Sequence, residues 1–287
     1  MRKSYLEILS ETQRDDSEKS PLRALIESNR RKRIRKSREK LLEHIRPSTF
    51  TRPRAIEKTG TLIVGIRCED GIVIGSDKKT IRGGETQYSR KIFEVDIGGK
   101  VLFAAEGLTG IRDDFFLLLN YEVRRRRGVD TFYEVKIIVE DIIAELTERY
   151  SERLREPRPI GVLMGGLEQL SEGKAILYYI HSEGYGERVD FRCTGHGGGY
   201  AYSLAKFLCG PHLCQSLSAE DIAKRVAFVI SWVAEDVDST VGGDPDVFII
   251  RDRDPEAEQL PEDKIQKEIE HARKAKEDFS SLLFPQE

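Results

Sequence analysis

The pattern of apolar and polar positions changes abruptly at Thr61. The residues before it are polar and poor in aromatic side chains, whereas short apolar runs separated by glycine-containing turns follow it. Such runs are typical of antiparallel strands. The first two runs flank the turn Glu69-Asp70-Gly71 and therefore predict a β-hairpin. The first four strands are predicted at residues 62–68, 72–77, 91–96 and 100–105.

The apolar period then shifts from two to about 3.6 residues, which is typical of amphipathic helices. The first helical stretch ends at four arginines, whose charge suits the negative end of the helix dipole. A later stretch begins at Ser218, a favourable N-cap residue. Helices are predicted at 111–127, 135–153, 200–208 and 218–233, and further strands at 160–164, 175–180, 188–194 and 246–250.

The order of these elements is strands, two helices, strands, two helices and a final strand. This order favours an α+β fold, a four-layer αββα sandwich in which two antiparallel sheets face each other and a helix pair covers each outer side. Three regions are predicted: a basic N-terminal extension at residues 1–60, the sandwich domain at 61–252, and a charged C-terminal tail at 253–287.

Positive charge is concentrated in the N-terminal extension. Residues 1–60 hold 17 basic and 9 acidic side chains, whereas the whole chain holds 47 and 50. The basic run at 29–36 could bind nucleic acid or an acidic membrane surface. We interpret it instead as a solvated helix face or as a counter-charge to the acidic remainder of the chain. Neither nucleic acid nor a membrane is therefore expected as a partner.

Hydropathy and cysteine usage favour the cytoplasm. No apolar run approaches the roughly 18 residues that a membrane span needs, and the N-terminus has no hydrophobic signal region. The four cysteines do not form a disulfide framework for a chain of this size. Cys209 and Cys214 lie close together with His212 between them, but a zinc site needs four ligands and no second pair is visible. Buried free thiols, with no metal and no cofactor, are expected.

Several short segments together point to one family. They are Thr-Gly-Thr-Leu-Ile-Val-Gly-Ile at 59–66, Asp-Gly-Ile-Val at 70–73, Ser-Asp-Lys-Lys at 76–79, Arg-Lys-Ile-Phe at 90–93, Gly-Leu-Thr-Gly at 107–110, Cys-Thr-Gly-His-Gly at 193–197, Asp-Ser-Thr-Val-Gly-Gly at 238–243 and Gln-Leu-Pro at 259–261. In this order they resemble the proteasome β subunit family, archaeal-like, within the N-terminal nucleophile hydrolase superfamily. The resemblance covers about residues 60–265 and implies the αββα fold. The family's α subunits carry a signature N-terminal helix that residues 1–60 do not show, so the β type is preferred.

The resemblance implies a catalytic threonine. Thr61 would be unmasked by cleavage after Gly60, and its own α-amino group would then act as the base that activates its hydroxyl. Lys91 would lower the pKa of that amine, and Asp77 would hold Lys91 in place. The backbone N–H of Gly107 is the candidate oxyanion donor, with Ala105 as the alternative for that place.

Two positions depart from the family pattern beside the candidate nucleophile. His196 stands where the family has a serine that bonds the terminal amine, and Val241 stands where it has a second serine. Asp238 is retained, and we expect Asp238 and His196 to belong to the catalytic group. His196 could replace the missing hydrogen bond, titrate near neutral pH, or block the pocket. By the same resemblance a roomy specificity pocket, mildly favourable to basic side chains, would be lined by Thr80, Ser89, Ala105, Thr109 and Asp113.

The implied function is a self-processing threonine endopeptidase that hydrolyses peptide bonds inside a ring-shaped degradation particle, with residues 1–60 as its propeptide. Expected partners are other β-type subunits in a homo-oligomeric ring, α-type subunits, a protein or peptide substrate and, indirectly, an ATPase unfoldase. Two alternatives stay open: a catalytically inactive, unprocessed ring subunit, and a related amidohydrolase or peptide ligase that uses the same nucleophile.

Overall fold

The computed structural model of the chain describes residues 60–82, 85–126, 128–154, 158–168, 173–210 and 214–283. The N-terminal extension and its basic run, predicted above, lie outside these residues except for Gly60. Among the helices within these ranges, none is both long and apolar enough to cross a bilayer.

The first sheet contains the strand that follows Thr61. Its strands are antiparallel and lie in the order β10, β1, β2, β11, β12. Their bounds are β1 Ile63–Arg67, β2 Gly71–Ser76, β10 Phe191–Thr194, β11 Asp246–Arg251 and β12 Ala257–Gln259.

The second sheet is also antiparallel, in the order β5, β6, β7, β8, β9. Its strands are β5 Ile92–Asp96, β6 Lys100–Gly107, β7 Ile160–Glu168, β8 Lys174–Ile180 and β9 Gly186–Arg188. A separate antiparallel hairpin consists of β3 (Lys79–Arg82) and β4 (Glu85–Tyr88), which lie between two of the predicted strands.

Helices cover both outer faces, which confirms the predicted α+β sandwich. On the second sheet pack α1 (Thr109–Arg125) and α2 (Phe132–Leu154), and on the first pack α3 (Gly198–Cys209) and α4 (Ala219–Asp236). Ser218 caps α4 by accepting a hydrogen bond from the Asp221 N–H, as predicted. The last helix, α5 (Glu262–Leu283), packs against α4.

The alternation of side chains along the strands produces two kinds of apolar layer. In β1 and the residue before it, Leu62, Val64 and Ile66 join the core shared with α3 and α4, whereas Ile63 points into the layer between the sheets. Each such side chain stabilises the fold by about 1.5–3 kcal/mol when fully buried. The layer between the sheets fixes their separation and so the geometry at their ends, where Thr61 lies.

The predicted strand at 188–194 is two strands. Residues of β9 pair with β8 in the second sheet, whereas β10 pairs with β1 in the first sheet. The chain crosses from one sheet to the other at Val189 and Asp190, and the N–H of Val189 still donates to Leu177 of β8. A single run of strand-forming residues therefore serves both sheets.

The segment predicted as a charged tail contains β12 and α5. Leu260, Ile265, Ile269 and Ala272 are buried, and the last three have the spacing of one helix face. Ile265 and Ile269 belong to the core shared with α3 and α4. The apolar stripe is narrow and the intervening residues are charged, so the overall composition predicts an exposed tail where the structure has a packed helix.

Candidate active site

The Gly60–Thr61 peptide lies buried at the entrance to β1. Pairing of β1 with β2 places Ile63 opposite Ser76, so the residues before β1 meet Asp77 just after β2. The backbone N–H of Leu62 donates to Asp77 Oδ1 at 2.8 Å, and the Asp77 N–H donates to the Leu62 carbonyl at 3.1 Å. Asp77 is thus fixed beside the candidate nucleophile by both its backbone and its carboxylate.

Lys91 completes a buried ion pair with Asp77. Its Nζ lies 2.6 Å from Asp77 Oδ1, and both side chains are fully buried. The same ammonium donates to the Gly60 carbonyl oxygen at 3.2 Å. Asp77 Oδ2 accepts the backbone N–H groups of Lys79 at 3.2 Å and Gly242 at 3.1 Å. The carboxylate is saturated with donors, which is what allows a buried charge to persist.

Burial shifts the pKa values of both partners toward their neutral forms. It lowers the pKa of Lys91 to about 8, although the Asp77 carboxylate acts in the opposite direction. Burial likewise raises the pKa of Asp77 above its usual range, while Lys91 and the backbone donors oppose that change. Lys91 is therefore a cation at neutral pH that can lose its proton in a mildly alkaline solution.

Two glycines make room for Thr61 on its other side. Gly195 has a φ of +88°, and a Cβ there would lie 2.1 Å from the Thr61 carbonyl oxygen. The N–H of Gly197 donates to the same oxygen at 3.2 Å. The Thr61 carbonyl is therefore held by the turn between β10 and α3, whereas Asp77 holds the backbone of the next residue, Leu62.

We expect Gly195→Ala to lower the free energy of unfolding by about 2–3 kcal/mol, because a side chain would be strained at positive φ and would displace Thr61. Urea denaturation measures this change. Gly199→Ala is the matched control, since a Cβ there meets no atom within 4 Å and alanine favours a helix. Equal stability of the two variants would contradict the close approach of Gly195 to Thr61.

His196, Asp238 and Thr240 form a hydrogen-bonded group next to the Gly60–Thr61 peptide. His196 Nδ1 lies 2.7 Å from Asp238 Oδ2, and Thr240 Oγ1 donates to Asp238 Oδ1 at 2.6 Å. Burial acts to raise the pKa of Asp238, but the hydrogen bonds from Thr240 and His196 outweigh it and hold that pKa below its ordinary value. A Cβ on Gly60 would lie 2.1 Å from Thr240 Oγ1, so this group contacts the residue that precedes Thr61.

Val241 takes no part in this group. Its side chain is buried in the core shared with α3 and α4, and it lies against the position that a Cβ on Gly197 would occupy. The hydroxyl near Gly60 belongs instead to Thr240.

A cavity of about 510 Å³ opens beside Thr61 between the ends of the two sheets. Thr61 and His196 line one side, and Gly107 at the end of β6 lines the other. Gly107 has a φ of +113°, and a Cβ there would lie 2.2 Å from the Pro159 carbonyl oxygen, so only glycine fits. The structure thus brings the proposed nucleophile and the candidate oxyanion donor to one cavity.

Sequence reasoning missed a polar cluster in this cavity. Glu106 accepts hydrogen bonds from the Thr194 hydroxyl at 2.7 Å and from the Tyr179 hydroxyl. Burial, reinforced by Glu106, raises the pKa of Tyr179, so its hydroxyl stays protonated. The available signal was alternation: Glu106 is an acid at an inward-facing position of a strand whose other inward residues, Leu102 and Ala104, are apolar.

The residues predicted to form a specificity pocket are not among those that line this cavity. Thr80 and Ser89 lie together, with their hydroxyl oxygens 3.0 Å apart. Ala105 is buried, and alternation turns it toward α1, opposite to Glu106. Thr109 begins α1, and Asp113 is exposed on the same helix. Their role in specificity stays a prediction.

The cysteines show no role in this site. All four are free thiols, and burial raises the pKa of Cys209 to about 12 and raises that of Cys214. His212, the third residue considered for a metal, lies outside the described residues.

Comparison with known proteins gives one consistent result. A family model described as "Proteasome subunit" matches residues 57–240. The chain is 22% identical to "Proteasome subunit beta" of Jonesia denitrificans over 204 residues, which cover 70% of this chain and 65% of that one. It is 27% identical to "Proteasome subunit beta" of Archaeoglobus fulgidus over 199 residues, which cover 67% of this chain and 85% of that one.

Solved structures with the same fold include Anbu, described as an ancestral β-subunit, from Yersinia bercovieri. The TM-score is 0.64 at 15% identity, and the match covers 79% of this chain and 98% of that one. A second is a helical assembly of the Anbu complex from Pseudomonas aeruginosa, with a TM-score of 0.62, 19% identity and coverage of 79% and 98%.

Proposed function

This chain belongs to the proteasome subunit family, and from that premise we propose that it is a β-type, self-processing threonine endopeptidase. The observation that carries the proposal is the buried Lys91, whose ammonium bonds both Asp77 and the carbonyl of the Gly60–Thr61 peptide. A charged lysine has a high cost when fully buried. Placed against the carbonyl of the Gly60–Thr61 peptide, this ammonium can polarise that carbonyl for attack.

Processing would begin with attack of the Thr61 hydroxyl oxygen on the Gly60 carbonyl carbon. Lys91 polarises that carbonyl, and the hydroxyl proton passes to a base, for which His196 on Asp238 is the candidate. The bond from Gly60 to the Thr61 nitrogen breaks and that nitrogen takes up a proton. Water then hydrolyses the resulting ester, which releases the Gly60 carboxylate and restores the hydroxyl.

After processing, the new α-amine of Thr61 would act as the base for peptide substrates. Lys91, still charged and held by Asp77, favours the neutral form of that amine by repulsion between cations. The N–H of Gly107 stabilises the negative oxygen that develops on the substrate carbonyl. His196, oriented by Asp238, would hydrogen-bond the amine in place of the family's serine.

We expect peptide hydrolysis by the processed protein to decline above about pH 8. The cause is the lowered pKa of Lys91, about 8, because loss of its proton removes the charge that the mechanism needs. A pH profile of kcat/KM measures this decline, and Lys91→Arg should retain activity at higher pH because arginine stays charged. A profile that stays flat while NMR shows the Lys91 amine titrating near pH 8 would contradict this role.

Unfolding is not the expected cause of that decline. The folded pKa of Lys91 is below its ordinary 10.5, so between these values the unfolded chain binds more protons than the folded one. By linkage, the contribution of Lys91 to stability therefore rises with pH over this range. Thermal unfolding measured at the same pH values separates the two effects.

Intact-mass measurement of the purified, assembled protein tests the proposal. A chain that starts at Thr61 and a particle that hydrolyses peptides are expected. An uncut chain in an assembled, peptide-inert particle would instead support the inactive ring subunit, and transfer of the acyl group to an added amine in preference to water would support a ligase.

The proposal extends to assembly and location. We infer self-association into a ring or stacked particle, with α-type subunits and an unfoldase as further partners, in the cytoplasm. The helix pairs on both outer faces of the sandwich offer the surfaces for such contacts.

A further inference from the structure

Arg192 enters the cavity beside Thr61 because of the alternation in β10. Phe191 and Cys193 pack on the core shared with α3 and α4. Arg192 and Thr194 therefore face the opposite way, toward the second sheet, and both line the cavity. An arginine is thus placed in the space between two sheets whose inner layer is otherwise largely apolar.

The guanidinium of Arg192 is held by an aromatic ring. Its Cζ lies 4.0 Å from the centre of the Tyr179 ring, a close cation–π contact. This contact orients the group without using its N–H donors. Within the described part of the chain, its buried Nε has no hydrogen-bond partner and no carboxylate forms an ion pair with it. The charge of Arg192 is therefore left without a counter-ion among these residues, and a bound anion would supply one.

Neither of the two acidic residues that face the cavity forms an ion pair with Arg192. Glu106 receives the hydroxyl hydrogen bonds of Tyr179 and Thr194, and Glu183 is exposed at the rim. The remaining titratable groups facing the cavity are Arg158, His181, Tyr185 and His196. The cavity therefore contains a fixed cation with unused donors on the same wall as the proposed nucleophile.

We propose that this cavity is a subsite for an acidic side chain of the peptide substrate, bound through the guanidinium of Arg192 next to the cleaved bond. The inference rests on the proposed function, since it names the substrate class of that site. A planar guanidinium binds a carboxylate through two parallel N–H donors, which makes the pairing selective as well as attractive. This preference differs from the mildly basic one predicted for the pocket of Thr80, Ser89, Ala105, Thr109 and Asp113.

Matched peptides test the subsite. Quenched fluorescent peptides that carry Glu, Gln or Lys on either side of the cleaved bond are compared by kcat/KM. We expect Glu to be preferred to Gln by about tenfold at one of the two positions, the size of effect that one charge-assisted pair gives. Arg192→Gln should abolish the preference, and Arg192→Lys should retain part of it.

Arg188→Gln is the matched control. Arg188 is an exposed arginine of β9 that forms a long ion pair with Glu168 at 3.8 Å and does not line the cavity. It should leave the Glu preference unchanged. A wild-type enzyme that hydrolyses Gln and Glu peptides equally, or an Arg192→Gln enzyme that keeps the preference, would overturn the proposal.

A binding measurement separates failure of the subsite from failure of the proposed function. The purified wild-type protein is titrated with fluorescein-labelled Glu and Gln peptides in which a reduced, uncleavable bond replaces the peptide bond that would be cut, and anisotropy reports binding. Tighter binding of the Glu peptide, weakened by salt and lost in Arg192→Gln, supports the subsite even if no peptide is hydrolysed. Equal binding of the two peptides overturns the subsite while leaving peptide hydrolysis to be judged separately.

Discussion

Thr61→Ala is expected to abolish both cleavage after Gly60 and peptide hydrolysis, with a loss of about 10⁴-fold or more. No other group in the proposed mechanism supplies the attacking oxygen, and removal of a nucleophile costs this much in hydrolases that act through covalent intermediates. The side chain is small and lies beside a cavity, so the fold should be retained. Intact mass and peptide hydrolysis measure the two activities in one preparation.

Thr61→Ser is the matched control for this substitution. Serine keeps the hydroxyl and, after processing, the free amine, so both activities should survive with a moderate loss. A Thr61→Ala protein that still appears as a chain beginning at residue 61, or that hydrolyses peptides at the wild-type rate, would remove Thr61 from the mechanism.

Asp77→Asn is expected to lower the free energy of unfolding by about 3–5 kcal/mol and to stop processing. The amide leaves the buried Lys91 ammonium without its counter-ion, and removal of one partner of a buried pair has this cost. The amide nitrogen is also a donor, so it would face a backbone N–H group of Leu62, Lys79 or Gly242 where the carboxylate offers an acceptor. Urea denaturation and intact mass report the two effects.

The double variant Asp77→Asn/Lys91→Met separates stability from chemistry. Removal of both charges should recover much of the lost stability, since an uncharged pair needs no compensation. Processing should stay absent because the Gly60 carbonyl has lost its cationic donor. Processing by the double variant at the wild-type rate would show that the pair serves the fold alone.

The sequence predicts most of the fold because burial on one side of each strand and helix leaves a periodic trace. The ends of β1, β2, β8 and β11 fall within one or two residues of the predicted ones. Where no such trace exists the prediction fails: the alternation of apolar and polar residues continues unbroken through Val189 and Asp190, so it does not mark the crossing between sheets. In α5 the trace consists of three widely spaced residues among charged ones.

The candidate site was partly predictable for a similar reason. Thr61, Asp77 and Lys91 occur in short segments with a recognisable order, and in the structure Lys91 Nζ bonds both the Asp77 carboxylate and the carbonyl of Gly60, the residue before Thr61. The cluster of Glu106, Tyr179 and Arg192 comes from three strands in two sheets. Its existence depends on how the sheets face each other, which no local segment encodes.

In the proposed mechanism, cleavage at the Gly60 carbonyl that Lys91 bonds would also change the number of protons that the site binds. Before processing, the buried group contains one acid and one base, and Thr61 contributes only an amide nitrogen that does not titrate. Cleavage adds a second amine beside the same carboxylate.

Since Lys91 and burial disfavour the charged form of this new amine, its folded pKa would fall below its ordinary value. The folded protein would then bind fewer protons than the unfolded one, and stability would be lost as the solution becomes acidic. The mature protein would therefore be more sensitive to acid than its own precursor.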